Sequence, residues 1–363
     1  MTSESPGTTT DSTLGQIGEF GLINRVARNV PQGPAVLLGP GDDAALVAAA
    51  DGRVVASTDL LVEHRHFRRD WSTAYQIGRK AAAQNLADIA AMGGVGTALL
   101  VGLAAPADLP LSWARDLSAG LADEAALVGA SVAGGDTVAS PTLLIAVTAL
   151  GDLHGRPPVT RAGASAGEIV AYAGNLGWSA CGLELLLREQ DGPKAALARH
   201  RSPQPPYRQG PAAALAGATA MLDVSDGLLA DVGHIAEESG VAIDLDPAAF
   251  PVDEQLRETA RQLGVDVFDW VLNGGEDHAL VACFPVGAEL PEGWIRIGRV
   301  LERRVADVGT HNGAGTDNGA ATDLGGGVDT EVDVNVDAGA DVPLVTVAGQ
   351  VWRGAAGWDH FGR

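Results

Sequence analysis

The sequence predicts a mixed α/β chain, α/β with α+β character, built as two domains. Three observations lead there. At 363 residues the chain is longer than most single domains. Short apolar runs alternate with segments of helical spacing along its length, the pattern of strands mixed with helices. A Gly-, Pro- and Ala-rich stretch, "HGRPPVTRAGASAGE" at 154–168, separates two such series and reads as a linker. The expected layout is a loose polar tail at 1–13, an N-terminal domain at 14–155 and a C-terminal domain at 156–363.

Residues 14–29 are predicted to be helical, with Ile17, Phe20, Ile23, Val26 and Ala27 near helical spacing. Residues 44–49 and 53–58 read as strands around the turn Asp51-Gly52, the second ending in Ser57-Thr58-Asp59. Ser72 is the predicted cap of a long helix that runs to about Met92 and closes at Gly93-Gly94. Asn85 and Asp88 are three apart and share a face of it. Its many alanines let it pack close to a neighbour. A strand at 97–103, a helix at 111–128 and a strand at 130–133 follow. Gly134-Gly135-Asp136-Thr137 reads as a turn before the apolar strand 142–150.

The second series opens with a strand at 168–173 and a helix from Trp178 to Glu189. A Pro-rich crossing, "RSPQPPYRQGP", leads to a helix at 211–217 and a strand at 220–224. Leu228, Leu229, Val232, Ile235 and Ala236 form an apolar helical stripe with Ser225 or Asp226 at its N-terminus. "LNGGEDHALVACF" is a Gly-Gly turn feeding a strand. Residues 306–341 hold eight acids and no Lys or Arg, a composition that predicts a disordered acidic insertion. Order is expected to resume at "PLVTVAGQVWRGAAGWDHFGR".

The formal net charge of −22 disfavours nucleic acid and anionic membranes as partners. No run of 18 apolar residues occurs, so no transmembrane helix is expected. The polar start has neither the basic nor the apolar region of a signal peptide. Cys181 and Cys283 are the two cysteines, too few for a disulfide framework, and both are expected in the core. A reducing cytoplasm is the expected compartment. The two lysines, Lys80 and Lys194, lie outside any Walker motif. Lys80 is expected to make a salt bridge on its own helix. Any phosphate chemistry must therefore use arginine, backbone N–H groups and metals.

Acids recur in glycine turns or at strand ends: Asp42-Asp43 after Gly41, Asp59, Asp136, Asp223 and Asp226 around "DVSDG", and Glu276-Asp277 after Gly274-Gly275. Each alone has an ordinary explanation, as turn chemistry or, for Asp226, as a helix cap. Asp88 is harder to explain, since it sits mid-helix among Ala, Ile and Met. Together, acids on glycine-lightened turns beside Ser or Thr can converge on hard cations, which prefer oxygen ligands and share them with phosphates. Glycine lets backbone N–H groups approach phosphate oxygens.

"GPGDDAAL", "ASTDLLVEHRHF", "QNLADIAAMGG", "AGGDT", "VTRAGASAGE", "LDVSDGLLADVGHI", "NGGEDHAL" and "GWDHF" occur in the order of the thiamine-monophosphate kinase family, which this chain resembles over roughly 14–305 and 346–361. That family belongs to the aminoimidazole ribonucleotide synthetase-like superfamily. The resemblance implies that two-domain fold, and a homodimer whose N-terminal sheets form the interface. It implies Mg²⁺-dependent transfer of the ATP γ-phosphoryl group to thiamine monophosphate, with several Mg²⁺ ions and no protein nucleophile. Carried over by motif, Asp43, Ser57, Thr58, Asp59, Asp88, Asp136, Asp223 and Asp226 would hold metals. Gly135, Asp136, Arg161 and Ser225 would contact ATP. His66, Glu276 and Trp358 would line the thiamine phosphate side, Trp358 by stacking on a ring and Glu276 by accepting from the aminopyrimidine. Asp42 would fix its turn or support a ligand from behind. Ala87 stands where the family commonly has serine, and His278 where it commonly has tyrosine.

Other readings remain open at this point. Selenophosphate synthetase would want a reactive Cys or Sec and a lysine near the N-terminus, whereas no Cys precedes Cys181 and no Lys precedes Lys80. The hydrogenase-maturation relative needs a C-terminal cysteine, whereas this chain ends Phe361-Gly362-Arg363. Another ATP-dependent enzyme of the superfamily, similar to aminoimidazole ribonucleotide synthetase, is the nearer alternative. A non-catalytic nucleotide- or divalent-cation-binding protein is the more distant one.

Overall fold

The computed structural model describes residues 11–26, 30–40, 44–303 and 344–352. Asp42, Asp43, the 306–341 segment and Trp358 lie outside the described residues.

Two sheets organise the chain. The first has the order β3 (Val55–Val62), β6 (Leu144–Asp152), β4 (Val95–Ala105), β5 (Ser131–Ala139). β4 and β5 are parallel neighbours joined through helix α3 (Leu111–Ala126), a βαβ unit; the other pairings are antiparallel. Helices α2 (Ala74–Ala91) and α3 cover one face, where Leu99, Leu103, Ile145 and Val147 meet Ile77, Leu86, Leu117 and Leu121. The two helices approach so closely that a Cβ on Gly78 would sit 2.1 Å from the Leu117 carbonyl oxygen.

Among the described residues, little covers the opposite face of this sheet. A small ribbon, β1 (Val36–Leu38) paired with β2 (Leu46–Val47), covers one end at Ala98, Ala133 and Leu150. Beyond it Leu60, Leu100 and Val138 are exposed.

The second sheet runs β12 (Val345–Val347), β9 (Val241–Leu245), β11 (Trp294–Glu302), β7 (Ile169–Ala173), β10 (Ala279–Phe284), β8 (Ala220–Val224). Side chains alternate across it. Val170, Tyr172 and Val281 face helix α7 (Leu228–Ser239) and its stripe of Leu228, Val232 and Ile235. Ala171, Ala173 and Ala282 face the other way, toward Ala90 and Ala91 of α2 and Ala213 of α6 (Gln209–Leu215). Small residues on both sides explain the alanine run in α2: it is a central helix packed against both sheets and α3.

Several local expectations change. The cap of α2 is Thr73, which accepts from the Gln76 amide in a reciprocal capping box, and Ser72 precedes it. The segment 53–58 does not turn back on 44–49; β2 pairs with β1, and β3 pairs with β6. Ser57-Thr58-Asp59 lies within β3, not at its end, and Gly134-Gly135-Asp136-Thr137 lies inside β5, not in a turn. In both places polar or glycine residues are carried by ladder pairing with an apolar neighbour strand. Helix α1 (Leu14–Arg25) kinks at Gly18 (φ 65°). Helices α5 (Lys194–Arg201), α8 (Glu254–Leu263) and α9 (Val267–Asn273), with strands β9 and β11, complete the C-terminal part. They pack α4 (Trp178–Leu187) into a satellite core with Trp270, Leu256 and Ala196. Cys181 and Cys283 are buried as expected.

Candidate active site

The acids gather where α2 passes between the sheets. Asn85 donates to the Ala81 carbonyl, and its Oδ1 accepts from the Asp59 amide at 3.0 Å. One turn on, Asp88 Oδ2 accepts from Ser57 Oγ at 2.5 Å. The shared helix face thus docks on β3 through two polar contacts, and it places Asp59 beside Asp88. Asp223, at the end of β8, comes from the other sheet. Asp88 is pushed up to about 7, first by burial and then by the charges of Asp223 and Asp59, against the Ser57 hydrogen bond.

The turn after β8 is held from below. Asp231, in the first turn of α7, accepts the N–H groups of Ser225, Asp226 and Gly227 at 3.0, 3.1 and 3.1 Å. Burial and the charges of Asp223 and Asp226 push Asp231 up to about 7. The helix cap is Gly227, so Asp226 is not capping with its side chain. Those three amides are committed to Asp231, so any contact from Ser225 to a nucleotide must use its side chain.

Loop 274–278 packs backbone to backbone on this turn. A Cβ on Gly275 would lie 2.5 Å from the Ser225 carbonyl oxygen, and one on Gly227 would lie 2.6 Å from that of Asn273. Glu276 (φ 63°) and His278 (φ 52°) adopt left-handed conformations that non-glycine residues seldom take, a strain characteristic of functional loops. Three successive side chains then do three things. Glu276 pairs with Lys80 at 2.9 Å. Asp277 accepts the Ser179 amide at 2.8 Å near the start of α4. His278 Nδ1 lies 3.0 Å from Asp223 Oδ2. Burial would lower His278, but the hydrogen bond and charge of Asp223 raise it. Burial would raise Glu276, but Lys80 and then His200 bring it down to about 2.

Other expected residues are placed differently. His66 Nδ1 accepts the Val62 amide at 3.0 Å in the loop after β3. Arg161 is exposed, and its carbonyl accepts from Ser239 Oγ. Thr58 faces away from Ser57 and Asp59; its Oγ1 donates to the Val147 carbonyl and lies 3.0 Å from Thr148 Oγ1. Its side chain is therefore not among the gathered acids, because strand alternation puts it on the open face. Register puts Gly135 in the row of Asp59 through Val101 and Val147. Asp136 falls in the row of Leu60, on that same open face and at the opposite edge of the sheet. Three strand spacings, about 14 Å, separate the edges. Within one chain Asp136 therefore does not join Asp59.

Sequence reasoning did not single out Asp231 or His200, and it misplaced Lys80. The ammonium of Lys80 is buried and bridges to Glu276, not to an acid on its own helix.

Carboxylates and hydroxyls make a hard, all-oxygen donor set, which suits Mg²⁺. Among the described residues no three acids or histidines lie close enough to hold an ion by themselves. The set fits an ion that shares its shell with substrate phosphates and water, not a closed protein cage.

The chain is similar to known proteins in sequence and in fold. Residues 41–153 match the AIR synthase related protein, N-terminal domain. The thiamine-monophosphate kinase of Mycobacterium tuberculosis (strain H37Rv) is 48% identical over 100% of this chain and 97% of its own length. That of Bacillus subtilis is 34% identical over 72% of this chain and 82% of its own. Among solved structures, AaThiL complexed with AMPPCP and TMP aligns with a TM-score of 0.71 at 28% identity, covering 97% of this chain and 100% of that one. A hydrogenase maturation protein HypE in complex with ATP shares the fold at 18% identity, with a TM-score of 0.61 over 77% of this chain and 85% of that one.

Proposed function

The chain belongs to the thiamine-monophosphate kinase family, and from that premise we propose that the acids between its two sheets form the site of phosphoryl transfer. The enzyme phosphorylates thiamine monophosphate with ATP, giving thiamine diphosphate and ADP. The AMPPCP and TMP of the solved relative support ATP as co-substrate.

One observation carries the location. Burial first, and then the charges of Asp223 on one side and Asp59 on the other, raise Asp88 to about 7. Unscreened, such a cleft would repel two phosphorylated substrates. Mg²⁺ bound by these acids would supply the positive charge that lets the γ-phosphoryl group and the acceptor phosphate meet in line.

The chain's own residues do the positioning. Ser57 and Asn85 fix the α2 face against β3, and His278 orients Asp223. Asp231 sets the turn that carries Ser225 and Asp226. Asp43, Ser57, Asp59, Asp88, Asp223 and Asp226 are the proposed metal-side residues, with Thr58 through its main chain. Gly135, Asp136, Arg161 and Ser225 belong to the nucleotide side. His66, Glu276 and Trp358 belong to the thiamine side. Transfer then needs placement and charge neutralisation, with no nucleophile from the protein.

The open apolar face of the four-stranded sheet supports a homodimer paired through it. The two buried, unpaired cysteines support a cytoplasmic location. No described helix is long and apolar enough to cross a membrane.

The test is one assay: purified protein, Mg·ATP and thiamine monophosphate, with thiamine diphosphate followed by chromatography and with EDTA and free thiamine as controls. Metal-dependent thiamine diphosphate with matching ADP is expected, and free thiamine should be rejected because its hydroxyl lacks the charge the metal side is built to hold. Equal turnover of thiamine overturns that selectivity. ATP binding without product moves the acceptor to another class.

A further inference from the structure

Lys80 is a buried cation whose ion-pair partner, Glu276, lies off its own helix. Its side chain is 3% exposed. Its Nζ donates to the His66 carbonyl at 2.9 Å and lies 2.9 Å from Glu276 Oε1. The other oxygen of Glu276 lies 3.6 Å from His200 Nδ1, which is also 3.2 Å from Ser179 Oγ. Burial, then the nearby charge of Lys80, lowers His200 to about 4, so it is a neutral partner at neutral pH. The ring of His200 in turn meets Trp71 edge to face. One ammonium thus ties the loop after β3 to the strained loop before β10, across the two sheets.

That geometry matters because the main chain of the loop is already fixed, with the Glu276 and His278 amides donating to the Ser225 and Val224 carbonyls, while Lys80 holds the carboxylate of Glu276. Its backbone is left-handed, its side chain remains one-third exposed, and its neighbours Asp277 and His278 are committed elsewhere. We propose that Lys80 is the positioning residue of the acceptor side: it holds the Glu276 carboxylate and the His66 loop at a fixed separation without itself touching the substrate. This rests on the assignment of Glu276 and His66 to the thiamine side. A lysine suits the task because its ammonium can donate to a carbonyl and a carboxylate at once, and its stem packs in the core.

Lys80→Met keeps the stem and removes the charge. The expected result is a KM for thiamine monophosphate raised about tenfold or more, with kcat and the KM for ATP within about threefold of wild type. A purely structural role would move all three together or lower the active fraction alone. Leaving Glu276 unpaired can impair folding, so Glu276→Gln and Lys80→Met/Glu276→Gln are measured beside it. The double variant removes both charges and is expected to melt near wild type, with an acceptor KM within about threefold of Glu276→Gln alone, because Lys80 acts through Glu276; a further rise of about tenfold or more would overturn that. Equal rises in both KM values, or a loss confined to kcat, in the variants that fold would overturn the role of Lys80. Wild-type protein that turns over ATP with a different acceptor overturns the thiamine assignment instead, and the same selective KM rise for that acceptor still supports the positioning role.

Discussion

Asp88 joins local chemistry to stability most directly. Its folded value of about 7 lies far above that of a free carboxylate. A carboxyl raised in this way adds stability below the unfolded value and loses it as pH rises from about 4 through 7. In EDTA at pH 8, Asp88→Asn should therefore melt at or above wild type, while turnover with Mg·ATP falls by about a hundredfold or more. Calorimetry beside the kinase assay separates the two; near-normal turnover would make Asp88 structural. His200 runs the other way. It is lowered to about 4, first by burial, so protonation of the unfolded chain draws stability away as pH falls from about 6.5 to 4. Asp88, Asp231 and Asp277, all raised to about 7, gain stability over that same range, so the His200 contribution, a loss of up to about 3 kcal/mol, is read as the difference in denaturant unfolding between wild type and His200→Gln.

Elements show how much of the site could be read from residue order. Helix α2 was legible because alanine content and the Asn85–Asp88 spacing are local signals, and both residues do meet β3, while its cap falls at Thr73, one residue past the expected Ser72. The "DVSDG" and "GGEDH" loops were legible as acids on glycine. What their glycines do is a matter of contact between loops distant in sequence. Lys80 and Glu276 are far apart along the chain, and nothing local announces their pairing. Asp231 was hidden for a related reason: an acid in the first turn of a helix reads as routine favour for the helix dipole. The continuation of β3 past Asp59 and the strand placement of "GGDT" were missed because glycine and aspartate are poor strand formers, overridden here by ladder partners. The two-loop contact gives a sharp expectation. Gly275→Ala puts a methyl 2.5 Å from the Ser225 carbonyl, and that atom is backbone and cannot rotate aside. The variant should lose about 2 kcal/mol or more in denaturant unfolding and should weaken ATP binding in the same measurement series. Wild-type stability would show that the two loops can part without cost.

At the scale of the whole molecule the unexplained surface is the open face of the four-stranded sheet. Its other face is filled by α2 and α3, and the β1–β2 ribbon covers one end. What remains carries Leu60 at 51% exposure and Val138 at 58%, with Leu100, Ala146 and the Thr58–Thr148 pair between them. A sheet face of this kind is costly to leave in water, and a protein of net charge −22 gains nothing electrostatically by bringing acids together elsewhere on its surface. An isologous pairing through this face would bury Leu60, Leu100 and Val138 of each copy, with Asp136 left at the edge of the sheet. Leu60→Glu would place a carboxylate from each subunit in that contact, where the described residues of the face offer no cation. Light scattering at micromolar concentration should give a dimer for the wild type and a monomer for the variant, with unchanged far-ultraviolet dichroism. A wild-type monomer, or a variant that stays dimeric, would move the interface to another surface.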